Sequence, residues 1–272
     1  MRTQREIEEV KEIKKPQQPK ENCAAAFFDL DGTVAQGPSL EKGFLRLLRY
    51  RREIGVRNYL RWAAEAVRLM PRGFQQIVRA NKMYLSRVQG FDERDWGNGS
   101  ASPWHKDGHQ AGRQAFTPLR RNPRVPVPSF SEEAVDRVAW HATQRHAIVL
   151  VSGTLEPLAQ GAAYALEAEL AQRGVTVEFE VCATRLEEIN GRWTGRIVGE
   201  AMFGGAKARA IRRIADELDL DLEQCYAYGN SRNDEEMLAV VGRPMAVNPS
   251  IGLARTAGKK KWPVLQWGEK KI

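Results

Sequence analysis

Residues 23–33 read CAAAFFDLDGT, and the fold turns on this stretch. The run up to Phe28 is apolar without polar alternation, which suits a short strand buried on both faces. It ends in Asp29-Leu30-Asp31-Gly32-Thr33. Carboxylates two apart on an extended backbone point the same way, and glycine permits a tight turn behind them. A lone DxD is common on surface loops. The same pair at the carboxyl end of an apolar strand is far more specific.

Downstream, the pattern of a strand followed by a helix repeats. Residues 147–153, AIVLVSG, form a second apolar run, and residues 154–174 read as a helix closed by Gly174. Before them, Ser131 followed by two glutamates marks a helix start. Residues 177–199 read as a hairpin with the favoured turn pair Asn190-Gly191. A helix over 206–220, a strand over 225–230, a helix from Asn233 to Gly242 and a strand over 244–250 follow, with a last short strand within 262–267. Strands alternating with helices predict an α/β fold: a doubly wound, Rossmann-like parallel sheet. Ligands then bind at the carboxyl ends of the strands.

Those ends carry a distinctive set of residues. The second strand runs into Ser152-Gly153-Thr154, where a hydroxyl and free backbone N–H groups suit a phosphate oxygen. Lys207 follows Gly204-Gly205 and opens the next helix. The third strand ends in Gly229-Asn230-Ser231-Arg232-Asn233-Asp234, whose oxygen-bearing side chains suit a hard cation.

Between the first and second strands lies a long excursion. Residues 40–90 read as helical, with Val56, Leu60, Ala63, Val67 and Met70 on one face and Arg57, Arg61 and Arg68 on another. Phe74, Ile77, Val78, Leu85 and Val88 predict a further helix after Pro71. This segment holds 12 Lys or Arg against 3 Glu, while the whole chain carries +8, so the rest is close to neutral. Residues 96–128 hold five of the 13 prolines and show no helical or strand period. They read as an irregular segment, either an insertion or a stretch translated out of frame. His105, Asp107 and His109 within it read as a chance cluster.

Composition narrows the classes. No apolar run reaches the roughly 18 residues of a membrane span. The N-terminus is charged and has no apolar signal region, and the three cysteines lack metal-ligand spacing, so a cytoplasmic protein with free thiols is expected. The basic charge sits on the excursion, and no nucleic-acid motif is present, so no nucleic-acid partner is expected.

Taken together, DLDGT, SGT, a lysine after glycines and GNSxxD, in this order, resemble the four motifs of the haloacid dehalogenase superfamily. The contexts AFFDLDGTV, LVSGTLEP, YAYGNSRNDEEML and AVNPS are similar to its phosphoserine-phosphatase-like branch, subfamily IB. The resemblance covers residues 24–37 and 131–265. It implies a core of residues 21–37 and 129–272 and a helical cap over 38–95 inserted after the first strand; residues 1–20, charged and set off by Pro16 and Pro19, read by themselves as a solvated tail.

The same resemblance implies a hydrolase: a Mg²⁺-dependent phosphatase acting on a small or lipid-like phosphate monoester. Asp29 would be the nucleophile, forming an aspartyl-phosphate, and Asp31 the general acid and base. Ser152, Gly153 and Lys207 would hold the phosphate. Asp29, Asp31 through its carbonyl, Asn230 and Asp234 would hold Mg²⁺. Many relatives carry Asp where Asn230 stands, so the metal here would lack that charge. Phosphoserine phosphatases place a carboxylate seven residues after the second Asp; that position is Pro38, and Glu41 is the nearest acid. The alternatives are a catalytically weak binding or regulatory module on the same fold, or a phosphotransferase. The basic cap helices imply either an anionic substrate or a peripheral membrane contact.

Overall fold

The structure, a computed structural model, describes residues 24–73, 80–89 and 128–268. The expected tail over 1–20 and residues 96–127 of the irregular segment, with Cys23, His105 and His109, lie outside the described residues.

A seven-stranded sheet with strand order β6-β5-β4-β1-β7-β8-β9 forms the core. Its strands are β1 (Ala25–Phe28), β4 (Ala147–Leu155), β5 (Phe179–Ile189), β6 (Arg192–Val198), β7 (Tyr226–Gly229), β8 (Arg243–Val247) and β9 (Val264–Leu265). All pairings are parallel except β5 with β6. The exception is the expected hairpin, and Asn190 and Gly191 take φ of 53° and 73° at its turn. Both angles are left-handed, the geometry that favours this pair of residues there. β1 lies in the middle, paired with β4 on one side and β7 on the other, so the chain builds the sheet outward first from one edge of β1 and then from the opposite edge.

Alternation along β1 builds two cores. Ala25 and Phe27 pack on one face with Val149 and Val151, under α5 (Gly205–Leu218), α6 (Glu235–Leu238) and α7 (Ile251–Lys260). Ala26 and Phe28 pack on the other face with Ile148 and Leu150, under α3 (Glu132–Thr143) and α4 (Glu156–Gln172). Each Phe is fully buried, and truncating one would cost about 3–5 kcal/mol. Ser131 caps α3 by accepting a hydrogen bond from the Ala134 N–H at 3.2 Å.

The excursion leaves and re-enters the core through a two-residue antiparallel ladder, β2 (Ala35–Gln36) against β3 (Ser129–Phe130). The apolar face of α1 (Leu40–Tyr50) lies on α4: Leu40, Phe44, Leu47 and Leu48 share a third core with Leu158, Ala159 and Ala162. Phe44 meets Trp193 of β6 edge to face at 5.8 Å.

The excursion differs from a compact helical packing in two places. Val56, Leu60 and Val67, which share one face of α2 (Val56–Leu69) as expected, point outward and are 75%, 64% and 66% exposed. The buried residues of α2 are instead Asn58 and Leu69. The Asn58 amide donates to the carbonyls of Tyr84 and Ser86 at 3.0 and 2.7 Å. Of the helix expected after Pro71, Phe74, Ile77 and Val78 lie outside the described residues, and the stretch through Leu85 and Val88 is a single 3₁₀ turn, Met83–Leu85, rather than α-helix. The backbone there is claimed by β6: Arg87 N–H donates to Trp193 O at 2.7 Å, and Trp193 N–H returns to Val88 O at 2.9 Å.

Candidate active site

The carboxyl ends of β1, β4 and β7 converge on one cavity of about 530 Å³. Asp29, Asp31, Ser152, Gly153, Lys207, Asn230 and Asp234 all line it. They reach it by different routes. Asp29 follows the last residue of β1 and is tied to β7 by its N–H, which donates to Tyr228 O at 2.9 Å. Lys207 enters from the first turn of α5. Asp234 comes from the 3₁₀ turn after β7.

At the centre is a buried charge cluster. Lys207 Nζ donates to Asp29 Oδ1 at 2.6 Å and to Asp234 Oδ1 at 2.7 Å. The three residues are 2%, 6% and 1% exposed. The second oxygen of Asp29 accepts from the Thr33 hydroxyl at 2.9 Å. The second oxygen of Asp234 accepts from Asn230 N–H, Ser231 N–H and the Ser231 hydroxyl at 3.2, 2.9 and 2.8 Å. Every carboxylate oxygen in the cluster is therefore oriented by a donor.

Two carboxylates and one ammonium leave the cluster one negative charge in excess. Burial, and then the charge of Asp234, push the Asp29 carboxyl up to about 7, against the pull of Lys207 and the Thr33 hydrogen bond. Burial disfavours the Lys207 ammonium, but the two carboxylates outweigh it and raise its pKa. Asp31 stands apart from the cluster: its Oδ1 accepts from Leu40 N–H at 3.2 Å, at the start of α1. Burial raises its pKa, only partly offset by that bond and one from Ser39. A carboxyl that leans toward its protonated form is suited to carrying a proton.

Gly32 and Gly153 let backbone come close. Gly32 has φ +83°, and a Cβ there would lie 2.2 Å from Asn230 Nδ2. A Cβ on Gly153 would lie 2.2 Å from the Phe203 ring. Ser152 Oγ accepts from Thr154 N–H at 3.2 Å. The Thr154 hydroxyl is buried in the cavity wall and has no hydrogen-bond partner among the described residues. An orphaned buried hydroxyl is costly unless something fills its need. A phosphate oxygen would.

Among the described residues, no three His, Cys, Asp or Glu side chains converge as a cage. Mg²⁺ does not require one, since it is commonly held by one or two carboxylates and keeps several waters. Asp29, Asp234, the Asp31 carbonyl and the Asn230 amide are all hard oxygen donors, so the set fits it. Asn230 Nδ2 donates to the Asp31 carbonyl at 3.3 Å, and the amide oxygen and nitrogen are interchangeable by a flip.

The roof contains residues that the sequence did not single out. Glu41, named only as the nearest acid, accepts from Lys82 Nζ at 2.5 Å and from the Tyr84 hydroxyl. Lys82 is 4% exposed. A lysine in a helical-looking stretch gives no sign of burial, because its partner is 41 positions away. Thr154, within the SGT motif, could have been noted for its hydroxyl.

Comparison with known proteins gives consistent matches. A family model described as haloacid dehalogenase-like hydrolase matches residues 26–239. Phosphoserine phosphatase SerB1 of Mycobacterium tuberculosis is 28% identical over 258 residues, 91% of this chain and 72% of that protein. A protein of unknown function from Bordetella pertussis Tohama I superposes with a TM-score of 0.57 at 24% identity, covering 89% of this chain and 97% of that one. A phosphoserine phosphatase in apo form superposes with a TM-score of 0.51 at 16% identity, covering 89% and 92%. The two superpositions speak to the fold alone.

Proposed function

The chain belongs to the haloacid dehalogenase-like hydrolase family, on its phosphoserine-phosphatase-like branch, and from that premise we propose that it is a Mg²⁺-dependent phosphatase hydrolysing a phosphate monoester through an aspartyl-phosphate on Asp29. The observation that carries this reading is the buried Lys207 ammonium, shared between Asp29 and Asp234 beside a hydroxyl-lined cavity. When bound, Mg²⁺ supplies positive charge that keeps the nucleophilic carboxylate ionised and draws charge off the phosphoryl oxygens.

The chain's own residues do the rest. Lys207, the Ser152 and Thr154 hydroxyls and the Gly153 N–H bind and orient the phosphoryl oxygens. A carboxylate oxygen of Asp29 attacks phosphorus. The Asp29–phosphorus bond forms as the bond to the leaving oxygen breaks, and Asp31 delivers its proton to that oxygen. Asp31, now a carboxylate, takes a proton from water. The water oxygen displaces Asp29 from phosphorus, releasing inorganic phosphate. Burial raises the pKa of both carboxyls; what separates them is that Asp29 is hydrogen-bonded to the Lys207 ammonium, whereas Asp31 accepts from the Leu40 N–H.

The substrate is small or lipid-like, with no ammonium beside the cap. The Glu41 carboxylate is already taken by Lys82 and Tyr84, so it is not free to receive one. Lys42 also lines this wall, leaving the roof with an excess of positive charge that favours a second anionic group. The buried free thiols of Cys182 and Cys225 support a reducing, cytoplasmic setting.

The test uses purified chain with Mg²⁺ and a panel of phosphate esters that includes phosphoserine, phosphoglycolate, glycerol phosphate and lysophosphatidate. Wild type releases phosphate and becomes labelled from a ³²P ester on an acyl phosphate, and Asp29→Asn does neither. Release that survives Asp29→Asn sinks the mechanism. Preference for phosphoserine over the anionic esters sinks the substrate reading.

A further inference from the structure

The helix α2 spans 14 residues and presents its apolar residues away from the protein. At about 100° per residue, Val56, Leu60 and Val67, with Met70 of the 3₁₀ turn that follows, fall within an arc of roughly 80° that also holds Ala63 and is widened by Tyr59. Asn58 and Leu69, the buried residues, lie on nearly the opposite side. Val56, Leu60, Val67 and Met70 are all more than half exposed. A stripe of this kind on a soluble surface marks something that covers it.

Charge says what kind of surface that is. Arg57 and Arg68 are exposed along one border of the stripe, with Arg61 behind them, donating to the Ser86 hydroxyl at 3.0 Å. On the other side, Tyr59 accepts from Arg49 at 3.0 Å, and Trp62 is 36% exposed. An outward apolar stripe bordered by arginines, with aromatic rings at its edge, has the layout of a helix lying in a bilayer interface. The surrounding segment, residues 40–90, holds 12 basic residues against 3 acidic, which complements anionic headgroups. Among the described residues, no helix is long and apolar enough to cross a membrane, so contact through this face would be peripheral.

We infer that α2 docks the protein on an acidic membrane surface, its apolar stripe entering the headgroup region and its arginines meeting anionic lipid. This deepens the basic-face reading of the cap by adding the buried element, and it does not rest on the phosphatase mechanism. The cavity and α2 lie on different parts of the cap, so α2 substitutions leave the catalytic cluster intact.

The experiment is co-sedimentation of the full chain with phosphatidylcholine vesicles, with and without phosphatidylglycerol. Binding is expected on the acidic vesicles, weakening with salt. Arg57→Gln with Arg68→Gln should weaken it about 30-fold, at about fivefold per charge near the surface. Leu60→Asp with Val67→Asp should weaken it about 100-fold. Both pairs alter exposed side chains, so thermal midpoint and hydrolysis of a soluble aryl phosphate should stay at wild-type values. Absence of hydrolysis by the wild type with retained sedimentation counts against the phosphatase reading alone. Absence of sedimentation with acidic vesicles overturns the docking, as does binding unchanged by Leu60→Asp with Val67→Asp. A concentration-dependent dimer dissolved by that pair, without vesicle binding, would assign the stripe to a second copy and equally overturn it.

Discussion

The Lys207 ammonium lies 2.6 Å from Asp29 Oδ1, both residues buried, across 178 positions of sequence. The same ammonium is 2.7 Å from Asp234 Oδ1, so one cation holds apart two carboxylates that would otherwise repel in a low-dielectric pocket.

Removing that cation leaves buried carboxylates without their partner. Lys207→Met should abolish phosphate release and cost about 3–5 kcal/mol of stability by urea unfolding at neutral pH. The deficit should shrink at acidic pH, where the carboxyls are neutral. A variant with wild-type stability at neutral pH would show that the ion triad is not formed in solution.

Mg²⁺ should stabilise the fold, and its effect should depend on the donor set. Thermal unfolding with and without the ion should show a raised midpoint for wild type and little shift for Asp234→Asn. Asn230→Asp adds a charged oxygen and should tighten Mg²⁺ binding about tenfold by calorimetry. Equal affinity in wild type and Asn230→Asp would place that side chain outside the ion's reach.

Gly32→Ala tests the crowding behind the two aspartates. The left-handed backbone alone should cost about 1–2 kcal/mol. The new methyl would also displace the Asn230 amide, which is 2.2 Å from the ideal Cβ position. Activity should fall more than stability does, since the displaced group lies at the cavity. Retained activity with reduced stability would separate Asn230 from the chemistry.

A second buried network makes stability depend on pH. His141 is fully buried, its Nε2 sharing a hydrogen bond with the Tyr228 hydroxyl at 2.9 Å and its Nδ1 with His146 at 2.8 Å. Burial first, then the charges of His146 and Arg137, bring its pKa down to about 3. The unfolded chain therefore binds the extra proton between about pH 6.5 and pH 3, and stability should fall as pH falls through that window. The contribution is at most about 1.4 kcal/mol per pH unit, and His141→Gln should flatten it in urea titrations. An unchanged slope in that variant would move the effect to other groups.

Several features were legible from short stretches. The strand over 25–28, the hairpin at Asn190-Gly191 and the helix start at Ser131 depend on side-chain period, turn conformation and capping, all of them local. The motif residues Asp29, Ser152, Lys207 and Asp234 could be singled out because each sits beside such a boundary. The conformation at Leu85 and Val88, where a helix was expected, was not legible in the same way, because Arg87 and Val88 give their backbone bonds to Trp193, about a hundred residues later.

What the sequence determined by itself is an α/β core with chemistry at three strand ends, since alternation, apolar runs and turn residues act over a few positions. Tertiary structure alone decided that Lys207 lies between Asp29 and Asp234, that Glu41 is taken by Lys82 and Tyr84, and that the apolar face of α2 looks outward. Periodicity reveals that a helix has an apolar face. What that face meets depends on which distant groups compete for the interior, and on α2 Asn58 and Leu69 took that place.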